Sequence, residues 1–426
     1  MQITTGKGIN QLRLNERIEQ LSRIGRIGET GVCRLALTPE DMDGIIQVRL
    51  WMEEAGLATR IDPFGNLIGR LEGTDPTLPI LMIGSHIDSQ PYGGRYDGAI
   101  GVLGALEVVQ CLMENGIQPS MPIEVIAFCD EEGSRFNKGL FGSRGMTGQL
   151  EEGELERQDK NGVTRCEALQ AFGCSVEKFA EGVYATGSIG SYLELHIEQG
   201  PVLESLDAPV GLVTGISGPL WLTVTIKGMA GHAGSVPMAM RHDALAGSAR
   251  VIAAFDDMVR ADPDAPTVGT VGSLRVFPDS RNIIPEEVSF TVDLRDMEME
   301  RRNQLEARLM NVLDEICSQH GLTYSLTEDT NSEPRYCAER IQAAIRSSAE
   351  EMGLPLPELM SGPFHDALAL SHVCEYGMIF VRSKDGISHH PSEYSSPEDI
   401  ALGTEVLYRT IRQMCSRLPA DIESSD

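Results

Sequence analysis

The sequence predicts an α/β fold in two parts: a discontinuous larger domain with a mostly parallel central sheet, and a small α+β open-faced sandwich inserted in it. Two changes of texture along the chain point to this division. Apolar strand-like runs alternate with helical stretches up to about residue 212, period-two strands dominate from 213 to 328, and the first texture returns from 329. A chain of 426 residues is also too long for one small core and suits about two domains.

Residues 9–25 and 39–56 read as amphipathic helices, the second opened by Thr38-Pro39-Glu40, an N-cap followed by proline in the first turn. Asn66–Leu71, Ile80–Gly84 and Ile123–Phe128 are short apolar runs of strand type, and Gly98–Asn115 reads as a buried helix between the last two. Strand, helix and strand at this spacing predict a right-handed crossover between parallel strands. In the middle segment, Trp221–Lys227, Thr267–Leu274 and Val288–Leu294 alternate as strands, with helices over 242–260 and 298–320. That order fits a small sheet with both helices on one face. A helix over Ala338–Met352 and a strand over Gly377–Val381 follow. The expected domains are therefore 1–212 with 329–426, and 213–328.

The formal charge of −28, from 63 acidic against 35 basic residues, repels phosphate backbones and anionic membrane surfaces. No nucleic-acid or membrane partner is expected, and an anionic substrate would need a local basic clamp. The opening MQITTGKGINQLRLNERIEQL lacks the apolar core of a signal peptide, and no run approaches the ~20 apolar residues that span a bilayer. Nine cysteines are scattered without a C-x-x-C pair, as reduced thiols would be. A soluble, cytoplasmic protein is the expectation.

Four blocks bear chemistry. In Gly84 to Gly98, His86 and Asp88 stand two apart at a strand end, where α/β sheets bind ligands, so an extended backbone puts both on one side. The Asp88 carboxylate can then orient the His86 imidazole toward a metal, and the glycines that follow let the chain fold back to present Asp97. In Asp130-Glu131-Glu132, after the strand Ile123–Phe128, one carboxylate can ligate metal while its neighbour acts as general base. Leu193 to Pro201 alternates so that Glu194, His196 and Glu198 share a face, and Asp385 to Pro391 offers His389 or His390. Each block alone has an ordinary reading, as an incidental His-x-Asp, a solvated acidic turn, a satisfied core histidine or a loop histidine. Together they supply three imidazoles and the carboxylates of Asp97 and Glu132, with no thiolate nearby. Two divalent ions sharing a bridging carboxylate fit that set, and mixed N/O ligation suits zinc, manganese, cobalt or nickel.

The stretches GSHIDSQPYGGRYDG, DEEGSRF, ELHIEQGPVLE, GHAGSVPM, RNIIPEEVSFTVDLRD and DGISHHPSEYSSPED occur in this order and span nearly the whole chain. They resemble the aminoacylase/carboxypeptidase-type dinuclear metallopeptidase superfamily. Within it they resemble the amidase branch of N-carbamoyl-L-amino-acid hydrolases, allantoate amidohydrolases and β-ureidopropionases. The resemblance implies that His86, Asp97, Glu132, His196 and His389 hold two metals in the larger, catalytic domain, with Asp97 bridging and Glu131 as general base. The family motif Gly-Ile/Val-Ser-His-x-Pro selects His389 over His390. In the inserted domain, GHAGSVPM alone would read as an ordinary loop. The resemblance makes His232 the group that stabilises the oxyanion, reaching the site from the partner subunit of a homodimer, so that this domain acts as lid and dimerisation module. Arg295, otherwise a surface cation on a strand edge, becomes the clamp for the substrate carboxylate, assisted by Asn282 and Gln199, and Gly362 joins the substrate-binding set. One departure stands out: Ser361-Gly362-Pro363-Phe364-His365-Asp366-Ala367 lies where relatives have Ser-Gly-Ala-Gly/Ala-His-Asp. Pro363 removes a backbone donor and Phe364 adds bulk, so the relatives' side-chain preference does not carry over if this loop lines the pocket.

The implied activity is hydrolysis of the carbamoyl C–N bond of N-carbamoyl-L-amino acids to amino acid, carbon dioxide and ammonia. Allantoate, which has the same ureido group beside a carboxylate, is the alternative substrate, followed by β-ureidopropionase, dipeptidase or aminoacylase activity. A binding protein whose metals only staple the fold is disfavoured by an intact base beside the ligands.

Overall fold

The computed structural model describes residues 8–416. The segments up to Thr214 and from Cys337 onward form one compact unit, and Gly215–Tyr336 forms a second. The larger unit begins with α1 (Gln11–Leu21), α2 (Pro39–Glu54), β1 (Ala58–Ile61), β2 (Leu67–Leu71), β3 (Ile80–His86), α3 (Ala99–Glu114), β4 (Ile123–Phe128), β5 (Ile189–Ile197) and β6 (Val210–Ile216). The inserted unit runs β7 (Gly218–Lys227), α4 (Ala244–Arg260), β8 (Val268–Thr270), β9 (Leu274–Phe277), β10 (Glu287–Asp296), α5 (Met299–His320) and β11 (Thr323–Asn331). The chain returns through α6 (Glu339–Glu351), β12 (Glu358–Ser361), α7 (Asp366–Leu370), β13 (Glu375–Val381) and α8 (Pro397–Ser416).

The larger sheet orders its strands β6–β13–β5–β3–β4–β2–β1, with β12 beside β6. Its middle strands β13, β5, β3 and β4 are parallel, β6 and β2 flank them antiparallel, and β1 pairs antiparallel with β2. Every residue of β3 and β4 is buried, as expected of strands covered on both faces. The crossover helix α3 is apolar all round, and Thr38 caps α2 by accepting the Asp41 N–H with Pro39 in the first turn. Period two then sorts β5: Leu195 meets Gly101 and Gly104 of α3, whereas Glu194 and His196 point to the opposite face, toward His365 and Ala367 at the start of α7. Parallel pairing also aligns the C-terminal ends of β13, β5, β3 and β4, so the segments that follow them meet at one edge.

In the inserted unit, β10 is an interior strand with β7 on one side and β8 and β9 on the other, while β11 pairs with the far side of β7. Leu220, Leu222, Val224 and Ile226 of β7 and Val288, Phe290, Val292 and Leu294 of β10 form one apolar core with α4 and α5. The strand expected over Thr267–Leu274 is two strands. Thr270 pairs with Asp293 but Leu274 with Phe290, so one extra residue bulges out around Gly272. The unit also runs to Tyr336 rather than 328, because an end at 328 would cut β11, whose Asn331 still pairs with Leu220.

Candidate active site

Each of the four parallel strands delivers a side chain to the same edge. β3 ends on His86, β4 runs into Asp130-Glu131-Glu132, β5 carries His196, and the turn after β13 leads to His389. Asp97 enters just ahead of α3. Gly98 behind it, at φ +62°, leaves room that a Cβ would take from the His86 ring. The two oxygens of Asp97 face different imidazoles: Oδ1 lies 3.2 Å from His196 Nε2 and 3.6 Å from His86 Nε2, and Oδ2 lies 3.3 Å from His389 Nε2. Glu132 Oε2 is 3.5 Å from the same His389 nitrogen. The ligand atoms thus fall into two groups, His86–Asp97–His196 and Asp97–Glu132–His389, each within 4.8 Å and sharing Asp97.

The ring tautomers fit this set to cations. His86 Nδ1 lies 3.0 Å from the Asp88 main-chain oxygen, and His196 Nδ1 lies 3.0 Å from that of Ile197. A carbonyl only accepts, so in a neutral ring each Nδ1 keeps the proton and each Nε2 aims a lone pair at the Asp97 carboxylate. Such facing lone pairs repel unless a cation lies among them. Without such a cation the site calls on positive charge all the same: burial pushes the Asp97 carboxyl up, and His196, His389 and His86, when protonated, more than offset this and hold it well below the usual range. The donor chemistry, imidazole nitrogens and carboxylate oxygens around a shared carboxylate, fits two divalent ions. Beside them stands Glu131, whose Oε2 is 3.7 Å from His86 Nε2. Burial pushes its carboxyl well above the usual range against the pull of His86, and Asp366, Glu132 and Asp88 add to the rise, the direction a proton carrier needs.

Two expected roles change. Asp88 Oδ1 lies 3.6 Å from His86 Nδ1, outside hydrogen-bond reach, and its peptide carbonyl orients the ring instead. The Asp88 carboxylate accepts the N–H groups of Glu131 and Glu132 at 3.2 and 3.3 Å, and so holds the turn that carries them. Glu198 does not share a face with Glu194 and His196, because β5 ends at Ile197 and the Glu198 carboxylate turns to accept the N–H groups of Val202 and Leu203. His390 turns its ring to Tyr92 and accepts the Ser392 N–H on Nδ1, away from the ligands. Gln199 donates Nε2 to Asp97 Oδ2 at 2.8 Å and lies 3.4 Å from His389 Nε2. Gly362 sits half-buried in the turn between β12 and α7.

Supporting residues that the sequence did not single out lie behind these groups. Gln90 Nε2 donates to Glu132 Oε2 at 2.6 Å and is itself held by Ser134. Glu393 accepts the N–H groups of Tyr96 and Asp97 and the Ser388 hydroxyl, fixing the turn that presents Asp97. His365 packs edge-on against His196 with ring centres 4.4 Å apart, and burial keeps it neutral, well below its ordinary pKa. A glutamate four residues past His389 in a polar stretch was the one visible hint of Glu393.

The inserted unit carries the remaining predicted residues. His232 is exposed on a two-residue strand paired with Ile283–Ile284, and its Nδ1 accepts the Gly234 N–H at 3.1 Å, which puts the proton of the neutral ring on Nε2. Arg241 bonds the carbonyls of Ala233 and Val236 and closes that loop. Asn282 lies in the turn next to it, its carbonyl accepting the Ala233 N–H at 2.8 Å. Arg295 is not on a strand edge: β10 is paired on both flanks, and the side chain stands on the open face opposite the helices. It pairs with Asp293 at 2.8 Å and lies over Trp221.

Residues 82–413 match the family described as peptidase family M20/M25/M40. An N-carbamoyl-L-amino-acid amidohydrolase of Pseudomonas sp. (strain NS671) is 47% identical over 405 residues, 95% of this chain and 98% of that protein. An allantoate amidohydrolase of Bacillus subtilis (strain 168) is 36% identical over 406 residues, 93% of this chain and 97% of that protein. The crystal structure of an amidase of the hydantoinase/carbamoylase family from Burkholderia multivorans superposes with a TM-score of 0.90 at 36% identity, covering 96% of this chain and 99% of that one. Matched along most of its length in sequence and in fold, the chain belongs to peptidase family M20/M25/M40.

Proposed function

We propose that this protein is a metal-dependent amidohydrolase that cleaves the carbamoyl C–N bond of N-carbamoyl-L-amino acids to amino acid, carbon dioxide and ammonia. The observation that carries this is Asp97 shared between two ligand groups, with the raised carboxyl of Glu131 beside them. Two divalent ions, zinc, manganese, cobalt or nickel, held by His86, Asp97, Glu132, His196 and His389, supply Lewis acidity at the ureido carbonyl and at the attacking water when bound. Glu131 takes the proton of that water and hands it to the leaving nitrogen. His232, contributed by the second subunit of a homodimer, donates its Nε2–H to the developing oxyanion. Arg295 reads the substrate carboxylate, with Asn282, Gln199 and Gly362 lining the rest of the substrate site. On this reading the inserted unit is lid and dimerisation module.

No helix among the described residues is long and apolar enough to cross a membrane, and the nine cysteines are free, which suits thiols in a reducing cytoplasm. Allantoate is the second reading, supported by the Bacillus subtilis relative. Ammonia release from N-carbamoyl-L-amino acids and from allantoate, with and without added divalent metal, separates the two. Faster turnover of the carbamoyl amino acids, dependent on metal, is expected. A preference for allantoate overturns the substrate, and metal-independent turnover overturns the mechanism.

A further inference from the structure

We propose that the larger unit holds a second small-molecule site, separate from the metal ligands, which binds a free α-amino acid with an apolar side chain. The choice of ligand rests on the proposed function, since an amino acid is that reaction's product. A cavity of about 570 Å³ lies between the β1–β2 region and the segment 172–184. That volume falls within the ~300–1,000 Å³ of ordinary small-molecule pockets. Phe172, Ile61 and Ile68 give it apolar walls, and Arg60, Lys178 and Glu181 supply its charges.

The charges fit a zwitterion. Asp62, the other acid in the wall, is engaged: it accepts the N–H groups of Phe64 and Asn66 at 2.9 Å and Asn66 Nδ2 at 2.7 Å. Arg60 commits Nη2 to Glu124 and Tyr184. The Lys178 and Glu181 side chains make no hydrogen bond or ion pair among the described residues. In a chain of net charge −28, Lys178 in the cavity wall suits a carboxylate, and Glu181 in the same wall suits an ammonium. The apolar side chain then packs on Phe172.

The cavity wall is joined to the base by two hydrogen bonds. Asp62 Oδ2 accepts Asn66 Nδ2, and Asn66 Oδ1 accepts the Cys129 N–H at 3.0 Å, two residues before Glu131. Asn66 Nδ2 also donates to the Gly142 carbonyl at 3.1 Å. The Asp62 wall of the cavity is thus continuous through Asn66 with the strand end that precedes Glu131.

The test is isothermal titration of L-phenylalanine into full-length protein bearing His389→Ala, which takes a ligand from the second metal group. Binding of one molecule per chain is expected. Affinity should be at least about tenfold weaker when Lys178→Glu is added, and about tenfold weaker for N-acetyl-L-phenylalanine, which lacks the ammonium. Circular dichroism should be unchanged, because Lys178 is exposed. Absence of binding, binding that survives Lys178→Glu, or equal binding of the acetylated probe overturns the proposal. Failure of the hydrolase reading alone would appear separately, as absent ureido turnover with L-phenylalanine binding intact.

Discussion

In the larger unit Asp97 is buried and meets three imidazoles, Gln199 and Ser388, whereas in the inserted unit His232 is exposed and its ring meets Gly234 and Ser235. The ligand cluster is over-determined. His86 is aimed by the Asp88 carbonyl, His196 by that of Ile197, Glu131 and Glu132 by the Asp88 carboxylate, and the Asp97 backbone by Glu393. The groups proposed for the substrate in the inserted unit are held by nearby residues, Arg295 by Asp293 and Trp221 and the His232 loop by Arg241. On the proposed reading, the contrast sets metal ligands gathered at one sheet edge against His232, Asn282 and Arg295, which stand in the other unit.

That contrast can be broken by substitution. Asp97→Ala should have the largest effect, because one carboxylate serves both ligand groups: metal content by mass spectrometry should fall at both positions and turnover should drop to background. His389→Ala should lower metal content and activity together, since only the second group loses a ligand. Arg295→Lys should leave metal content unchanged yet lower kcat/KM by roughly 2–4 kcal/mol-equivalents, the range for losing a desolvated charged pair, and should erase the preference for a free carboxylate over an amide-capped substrate. If the preference persists, the clamp lies elsewhere. His390→Ala should be the mildest, with metal content and kcat near wild type, because its ring faces Tyr92.

The sequence revealed what is local. β3 and β4 were legible as short, mostly apolar runs, and the chemistry-bearing residues stood at or directly after their ends. His389 was separable from His390 only through a motif, since either ring serves on chemistry alone. Asp88 was misjudged in part because its carbonyl and its carboxylate compete for the same neighbourhood, and two-residue spacing does not say which wins. Arg295 was assigned to an edge because strand neighbours are set by pairing with β7, β8 and β9, which no local pattern encodes. Glu393 escaped notice for the same reason: it acts on Tyr96, nearly 300 residues earlier, through a backbone N–H that carries no sequence signal.

On the proposed mechanism Glu131 carries the proton for a reaction whose metals it does not hold, and one preparation of Glu131→Gln tests this. Metal content and ammonia release from an N-carbamoyl-L-amino acid would be measured on the same sample. The account predicts two metal ions per chain, as in the unmodified protein, with turnover lower by at least about a hundredfold, the usual cost of losing a general base. Near-normal turnover with full metal content would contradict it.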